Sequence, residues 1–482
     1  MSKTVKRVAI VCGLVVIVLA VAFLGIYHSR LQTMSTIEEV QAFDDGYSLY
    51  RMEVKYGYDL DEIIGRGITD DQSMIDAIVK EAIPILPVHV DVPSFGCTAF
   101  TMKDTGSGTM MGRNYDFKLD TSAMLVYCSP EGGYRSVAFA ALDNISTNHP
   151  SSFKEKMACL TAPFICLDGM NEKGVSIAVL TLDSEPTDQD SGKEKIFTSL
   201  AIRLVLDRAA STEEAVELLA AYDMFAANGR DYHFYITDST GDGRVVEYDC
   251  DSPTREMTVT KTDAVTNFFV MYADKVLPDQ KNGHYGHGKE RYNTVMGILE
   301  SETEYTEDTA WKALVGTAQD PNPDDPTSNT QWSIVYNNSD LTAHIVIRQH
   351  WDQKISYSLD GNTVEKAERS LRQVLRAWDR RSGGSAPSSI PPGADASDQA
   401  CMRGDDSGRG KAVIYARHIL GTEGEGGREY PDRANNPGRP QAGPSSDLPY
   451  SRSKTFARMR IASSKASRIF ILPILDGFSS GI

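Results

Sequence analysis

The chain has 482 residues, with 49 Lys and Arg against 66 Asp and Glu, a formal net charge of -17. Hydrophobic residues make up 41% and charged residues 24%, a globular composition that excludes a collagen-like or wholly disordered chain. The acidic balance repels phosphate backbones and argues against nucleic acid as a partner. Seven cysteines are too few for a disulfide scaffold.

The first predicted element is the uncharged run at residues 8–27 (VAIVCGLVVIVLAVAFLGIY). At about 1.5 Å per helical residue it spans roughly 30 Å, the hydrocarbon thickness of a bilayer. Lys3, Lys6 and Arg7 precede it, so the positive-inside rule puts residues 1–7 in the cytoplasm and the rest outside. The expectation is one transmembrane anchor, hence a membrane partner and an extracellular domain. A cleaved signal peptide and secretion are the rival reading, from the small residues Ala20 and Ala22.

Residues 28–96 read as a pro-segment or stalk, with a helix over 70–83 where Met74, Ile75, Ile78 and Ile83 fall near helical spacing. From Cys97 the pattern turns strand-rich. Two apolar runs, CTAFTM and TMMGRNYDF, flank a Gly-containing turn and predict a hairpin. Further strands are expected at 175–182, 232–237, 244–248, 332–337, 341–348 and 354–359. Helices are expected at 197–209, from 211 where Ser211 and Glu214 suggest a capping box, and at 364–378. Strands, then helices, then antiparallel strands predict an α+β domain over 97–380. From 381 the composition shifts to Gly, Pro, Ser and Arg, with about 14 basic against 10 acidic residues, and reads as a disordered tail. Arg403-Gly404-Asp405 in that tail is a chance match to an adhesion motif.

The chemistry-bearing residues are few. His284 and His287 lie in a Gly-rich loop without a zinc spacing nearby, so loop polarity is preferred to a metal site. The GxSxG match at 477–481 lacks its strand and helix, and no phosphate-binding glycine loop is present, so no Ser-His-Asp hydrolase is indicated. Cys97 follows Gly96 at the head of the first strong strand. A lone strand cysteine is usually core. Here Arg113 on the partner strand is placed to lower its pKa, and Asp116 follows three residues later. A free α-amine on Cys97 itself would supply the missing base, which requires cleavage of the Gly96–Cys97 bond. Arg113 and Asp116 could equally be a surface ion pair.

These residues resemble the choloylglycine hydrolase family of N-terminal nucleophile hydrolases, which act on linear amide C–N bonds and include bile-salt hydrolases, penicillin V acylases and acid ceramidase-like amidases. The resemblance rests on Cys97-Thr98, Gly112-Arg113-Asn114-Tyr115-Asp116, the DGMNEKG run at 168–174, Thr266-Asn267 and Arg291 in KERY. It implies a four-layer αββα sandwich and acyl transfer through a thioester to water, without a cofactor or metal. By the same resemblance Cys97 is nucleophile and base, Arg113 lowers the thiol pKa and Asp116 anchors the α-amine. Asn267 offers its amide to the oxyanion, and Arg291 orders the site by pairing with a carboxylate or with the surroundings of Cys97. The substrate implied is a small-molecule amide: an N-acyl amino acid, a bile salt or a penicillin. Two features depart from the pattern. Thr181 stands where a second oxyanion asparagine is common, and the interval from Asn267 to Arg291 is shorter than in bile-salt hydrolases. An acyltransferase and a catalytically silent extracellular binding domain stay open as alternatives.

Overall fold

The computed structural model describes residues 3–84, 96–226, 228–322 and 328–366. Of the two units into which the chain divides, Met1–Met402 contains all of these and Arg403–Ile482 none. The tail from 381 and most of the helix expected at 364–378 therefore lie outside the described residues.

Helix α1 (Lys3–Ser35) contains the apolar N-terminal run and continues past it. Its last turns belong to the protein. Tyr27, Thr33 and Met34 are buried, and Tyr27 donates to the Pro84 carbonyl. Arg30 donates from Nε to Ala82 O at 2.8 Å and from Nη2 to Glu81 O at 2.7 Å. Among the described residues no helix is long and apolar enough to cross a membrane. That finding corrects the expected transmembrane helix, and with it the membrane partner and the anchored location. The physical difference lies at the end of the run, where Tyr27 docks into the body and the helix goes on into turns that hydrogen-bond it.

Strands β1 (Glu38–Ala42) and β2 (Ser48–Glu53), helix α2 (Leu60–Gly65) and helix α3 (Asp71–Ala82) follow. Asp70 caps α3 by accepting from Ser73 N at 2.8 Å, which fixes the predicted helix start. Strands β3 (Gly96–Thr105) and β4 (Gly108–Asp116) form the predicted hairpin. Gly112 is required there by close approach. It lies opposite Phe100, and a Cβ would stand 2.2 Å from that ring.

Then come β5 (Ala123–Cys128), β6 (Ser136–Ala141), α4 (Phe153–Ala158), β7 (Asp168–Asn171) and β8 (Ser176–Leu182). After them run β9 (Lys195–Phe197), α5 (Thr198–Arg208), α6 (Thr212–Ala220), β10 (Asp223–Phe225), β11 (Asp231–Thr237) and β12 (Arg244–Tyr248). The described chain ends with β13 (Met257–Lys261), β14 (Ala264–Val265), α7 (Lys289–Ser301), α8 (Glu307–Thr317), β15 (Thr330–Asn337), β16 (Thr342–Ile347), β17 (Ile355–Ser358) and β18 (Thr363–Lys366). The helix expected from 364 is corrected in its first turn. Val364 pairs with Tyr357 on β17, and pairing onto an existing sheet edge overrides the local helical pattern.

Two sheets carry the fold. One has nine strands in the order β1-β2-β5-β6-β7-β8-β11-β12-β13, the other seven in the order β14-β3-β4-β15-β16-β17-β18. Within both, all pairings are antiparallel except β2 with β5. Strand alternation divides β3 between two cores. Cys97 and Ala99 join Tyr115, Trp332, Phe139 and Val179 in the core between the sheets, while Phe100 and Met102 join Trp311 and Leu314 beneath α7 and α8. Helices α5 and α6 cover the nine-stranded sheet on its other side. The layers run helix, sheet, sheet, helix.

Candidate functional site

Cys97 stands one residue into β3, fully buried, opposite Tyr115. Its backbone N donates to Asn267 Oδ1 at 3.0 Å. Arg291 binds the same cluster through three hydrogen bonds. Its Nη1 donates to Cys97 O at 2.8 Å and to Thr98 Oγ1 at 3.0 Å, and its Nη2 to Asn267 Oδ1 at 2.7 Å. Asn267 Nδ2 in turn donates to Thr181 O at 2.9 Å. Asn267 is thereby fixed from three sides, by a strand of each sheet and by α7.

Arg113 and Asp116 are fully buried, which excludes a surface ion pair. Arg113 pairs through Nε with Asp168 Oδ2 at 3.4 Å and donates from Nη2 to Val179 O at 2.7 Å. Its charge and hydrogen bonding lower the Cys97 thiol pKa, as does the Asp116 backbone N–H. Burial outweighs them, and the thiol is pushed up to about 12. The expected lowering by Arg113 is present but is not the net result in this closed, uncleaved chain.

The Asp116 carboxylate accepts from Thr330 Oγ1 at 2.6 Å and Gln319 Nε2 at 2.7 Å, and lies 3.8 Å from Arg291 Nη1. Burial raises its pKa against these partners. The group that accepts from the Cys97 nitrogen is Asn267 Oδ1. Thr181 joins through its backbone carbonyl, while its hydroxyl faces Asp231 O at 3.4 Å.

Other residues complete the arrangement without a local sequence signal. Asp168 accepts from Trp332 Nε1 at 3.1 Å and Tyr336 Oη at 2.5 Å as well as facing Arg113. Asp168 was visible only as the first residue of a motif, and its two aromatic donors come from a strand more than 160 residues away. Gly288, with φ +81°, lets α7 begin so that Arg291 folds back over it. A Cβ at Gly288 would lie 2.3 Å from Arg291 Nη2.

The loop histidines are not alike. His287 is buried and bonds Asp183 Oδ2 through Nδ1 at 2.7 Å, which corrects its reading as exposed loop polarity. His284 is exposed and bonds Asp251 Oδ1 at 3.0 Å. Cys250, Asp251 and His284 bring three ligand-type atoms together. Asp251 Oδ2, however, already accepts from Tyr285 Oη at 3.0 Å and Lys275 Nζ at 3.3 Å, so a cation is already in place. Cys159 and Cys166 are both free thiols.

The family model for linear amide C–N hydrolases, choloylglycine hydrolase family, matches residues 97–259. No curated protein sequence gives a match. Among solved structures, penicillin V acylase from Agrobacterium tumefaciens is similar at 18% identity and a TM-score of 0.41, over 56% of this chain and 90% of that one. A mutant of the conjugated bile acid hydrolase from Clostridium perfringens is similar at 16% identity and a TM-score of 0.41, over 57% of this chain and 97% of its own. Over residues 97–259, then, this chain is similar to the choloylglycine hydrolase family of linear amide C–N hydrolases.

Proposed function

We propose that the protein hydrolyses a linear amide with Cys97 as nucleophile, after cleavage of the Gly96–Cys97 peptide bond. The observation that carries this reading is the setting of the Cys97 nitrogen. It is buried, bonded to Asn267 Oδ1 at 3.0 Å, and shares that oxygen with Arg291, an arrangement suited to holding a free amine beside its own thiol.

Cleavage turns the nitrogen into an α-amine whose ordinary pKa is about 7.7–8.0. The amine takes the thiol proton, and Sγ attacks the substrate carbonyl carbon. The oxygen of the tetrahedral intermediate takes the negative charge. As the C–N bond breaks, the amine proton passes to the leaving nitrogen and a thioester remains. Water then adds to the thioester, giving its proton to the α-amine. Collapse expels the thiolate, which is reprotonated, and a carboxylic acid leaves. Asn267 Nδ2 carries a second N–H besides the one given to Thr181 O, and that N–H is the donor available to the oxyanion. Such a donor contributes about 2.7–4 kcal/mol in the transition state. Residues 97–380 form the catalytic segment in this reading.

Intact mass and N-terminal sequencing, combined with a panel of conjugated bile acids, penicillin V and N-acyl amino acids, test the proposal. A mature chain beginning at Cys97 that releases amine from one class, with release lost in Cys97→Ser, is the expected result. An active protein in which Cys97 never becomes the first residue would overturn the free-amine mechanism.

A further inference from the structure

His233 lies in the middle of β11, fully buried, and both of its ring nitrogens meet oxygens. Nδ1 is 3.0 Å from Glu247 Oε1 on β12, and Nε2 is 2.9 Å from the Thr266 carbonyl oxygen. A carbonyl oxygen only accepts. A neutral imidazole has one N–H and one lone pair, so it satisfies one of these contacts and sets a lone pair against oxygen at the other.

Glu247 defines its own state by its partners. Oε1 accepts from Val270 N at 2.7 Å and Oε2 from Met271 N at 3.0 Å, in addition to the imidazole. Each carboxyl oxygen thus accepts a backbone N–H, an arrangement that the acceptor-only carboxylate satisfies in full. With Glu247 ionised, both contacts of His233 are hydrogen bonds only when both ring nitrogens carry protons. The buried charges then cancel within the pair, which is how such groups are tolerated.

The pair brackets one short stretch of chain. His233 holds Thr266, Glu247 holds Val270 and Met271, and Asn267 lies between them. Asn267 O in turn accepts from His287 N at 2.8 Å, which leads into Gly288 and Arg291. We propose that His233 is a doubly protonated positioning residue which, with Glu247, fixes the 266–271 stretch so that the Asn267 side chain meets the Cys97 nitrogen. The positioning part rests on the amidase reading above, while the protonation part does not.

The test is nitrogen-15 NMR of the full chain labelled at histidine, assigned by loss of one signal set in His233→Gln. The expected spectrum at neutral pH has protons on both His233 ring nitrogens. His233→Gln, with one donor group fewer, is expected to lower kcat about a hundredfold with KM changed less than threefold, the size of effect a displaced reacting group produces. Glu247→Gln covers the case in which that variant does not fold. It keeps an acceptor for one backbone N–H and removes the carboxylate, and one ring proton is expected to be lost with it. A wild-type ring with one unprotonated nitrogen overturns the proposal, and so does a folded His233→Gln with unchanged kcat. An inactive wild type with a doubly protonated ring would instead sink the amidase reading and leave the proton count standing.

Discussion

At Cys97 opposing effects act on one sulfur. The Arg113 guanidinium favours the thiolate, while complete burial and the Asp116 carboxylate disfavour it, and the balance leaves the thiol protonated at neutral pH. Arg113 in turn depends on Asp168, since a buried cation without a counter-charge is strongly destabilising. Gly288 shows how exacting the site is at the scale of one residue. A left-handed backbone costs a residue with a Cβ about 1–2 kcal/mol, and here the Cβ would also displace Arg291 from Cys97 O and Asn267. Gly288→Ala is expected to lower thermal stability modestly and amide release by tenfold or more. Gly297→Ala, in the same helix with open space around its Cβ, is the control. It is expected to raise stability by about 0.5–1 kcal/mol and to leave activity unchanged. Equal activity losses in the two variants would show that the effect belongs to α7 as a whole.

The elements before Cys97 are not a detachable stalk. β2 lies inside the nine-stranded sheet, parallel to β5, with Leu49 opposite Ala123 and Met52 opposite Val126. Leu49, Met52, Ile63, Ile64, Ile78 and Ala82 are buried in the main core. Cleavage at Gly96–Cys97 would break one bond and leave this burial intact. Each buried aliphatic side chain contributes roughly 1.5–3 kcal/mol. The two pieces are therefore expected to co-elute in size exclusion under native conditions and to separate only in denaturant. Dissociation on cleavage in native buffer would contradict this. Which elements were legible in the sequence follows the same physics. The β3–β4 hairpin, α3 and α5 declare themselves through local period, turn and cap. β5 and β6 are buried on both faces, so they show no alternation by which a strand declares itself. Cys97, Arg113, Asp116, Asn267 and Arg291 could be gathered only because ordered motifs named them together. Asp168 with Trp332 and Tyr336, or His233 with Glu247, have no spacing to betray them, because long-range strand order creates their contacts.

Over the whole molecule, carboxyl groups of two kinds oppose each other as pH changes. Burial raises the pKa of Asp116, Asp168, Asp207 and Asp231. A raised folded-state pKa means the native state binds protons more tightly, so these groups cost stability as pH rises through it. Glu307 behaves in the opposite way. Its Oε1 lies 2.6 Å from His344 Nδ1 and accepts from Lys354 Nζ at 2.8 Å and Trp311 Nε1 at 2.7 Å. These partners hold its pKa at about 2 despite burial. A depressed folded-state pKa contributes stability that is fully present above the unfolded value, about 4.3, and is lost as pH falls through about 2. Glu307 joins α8 to β16 and to the connection that leads into β17, so its loss loosens the helical layer over the seven-stranded sheet. Glu307→Gln is expected to melt below wild type at pH 7. The gap between the two melting temperatures should narrow steadily from pH 4.5 towards pH 2. A gap that stays constant across that window would mean the Glu307 side chain contributes by shape and hydrogen bonding alone, and not by its charge.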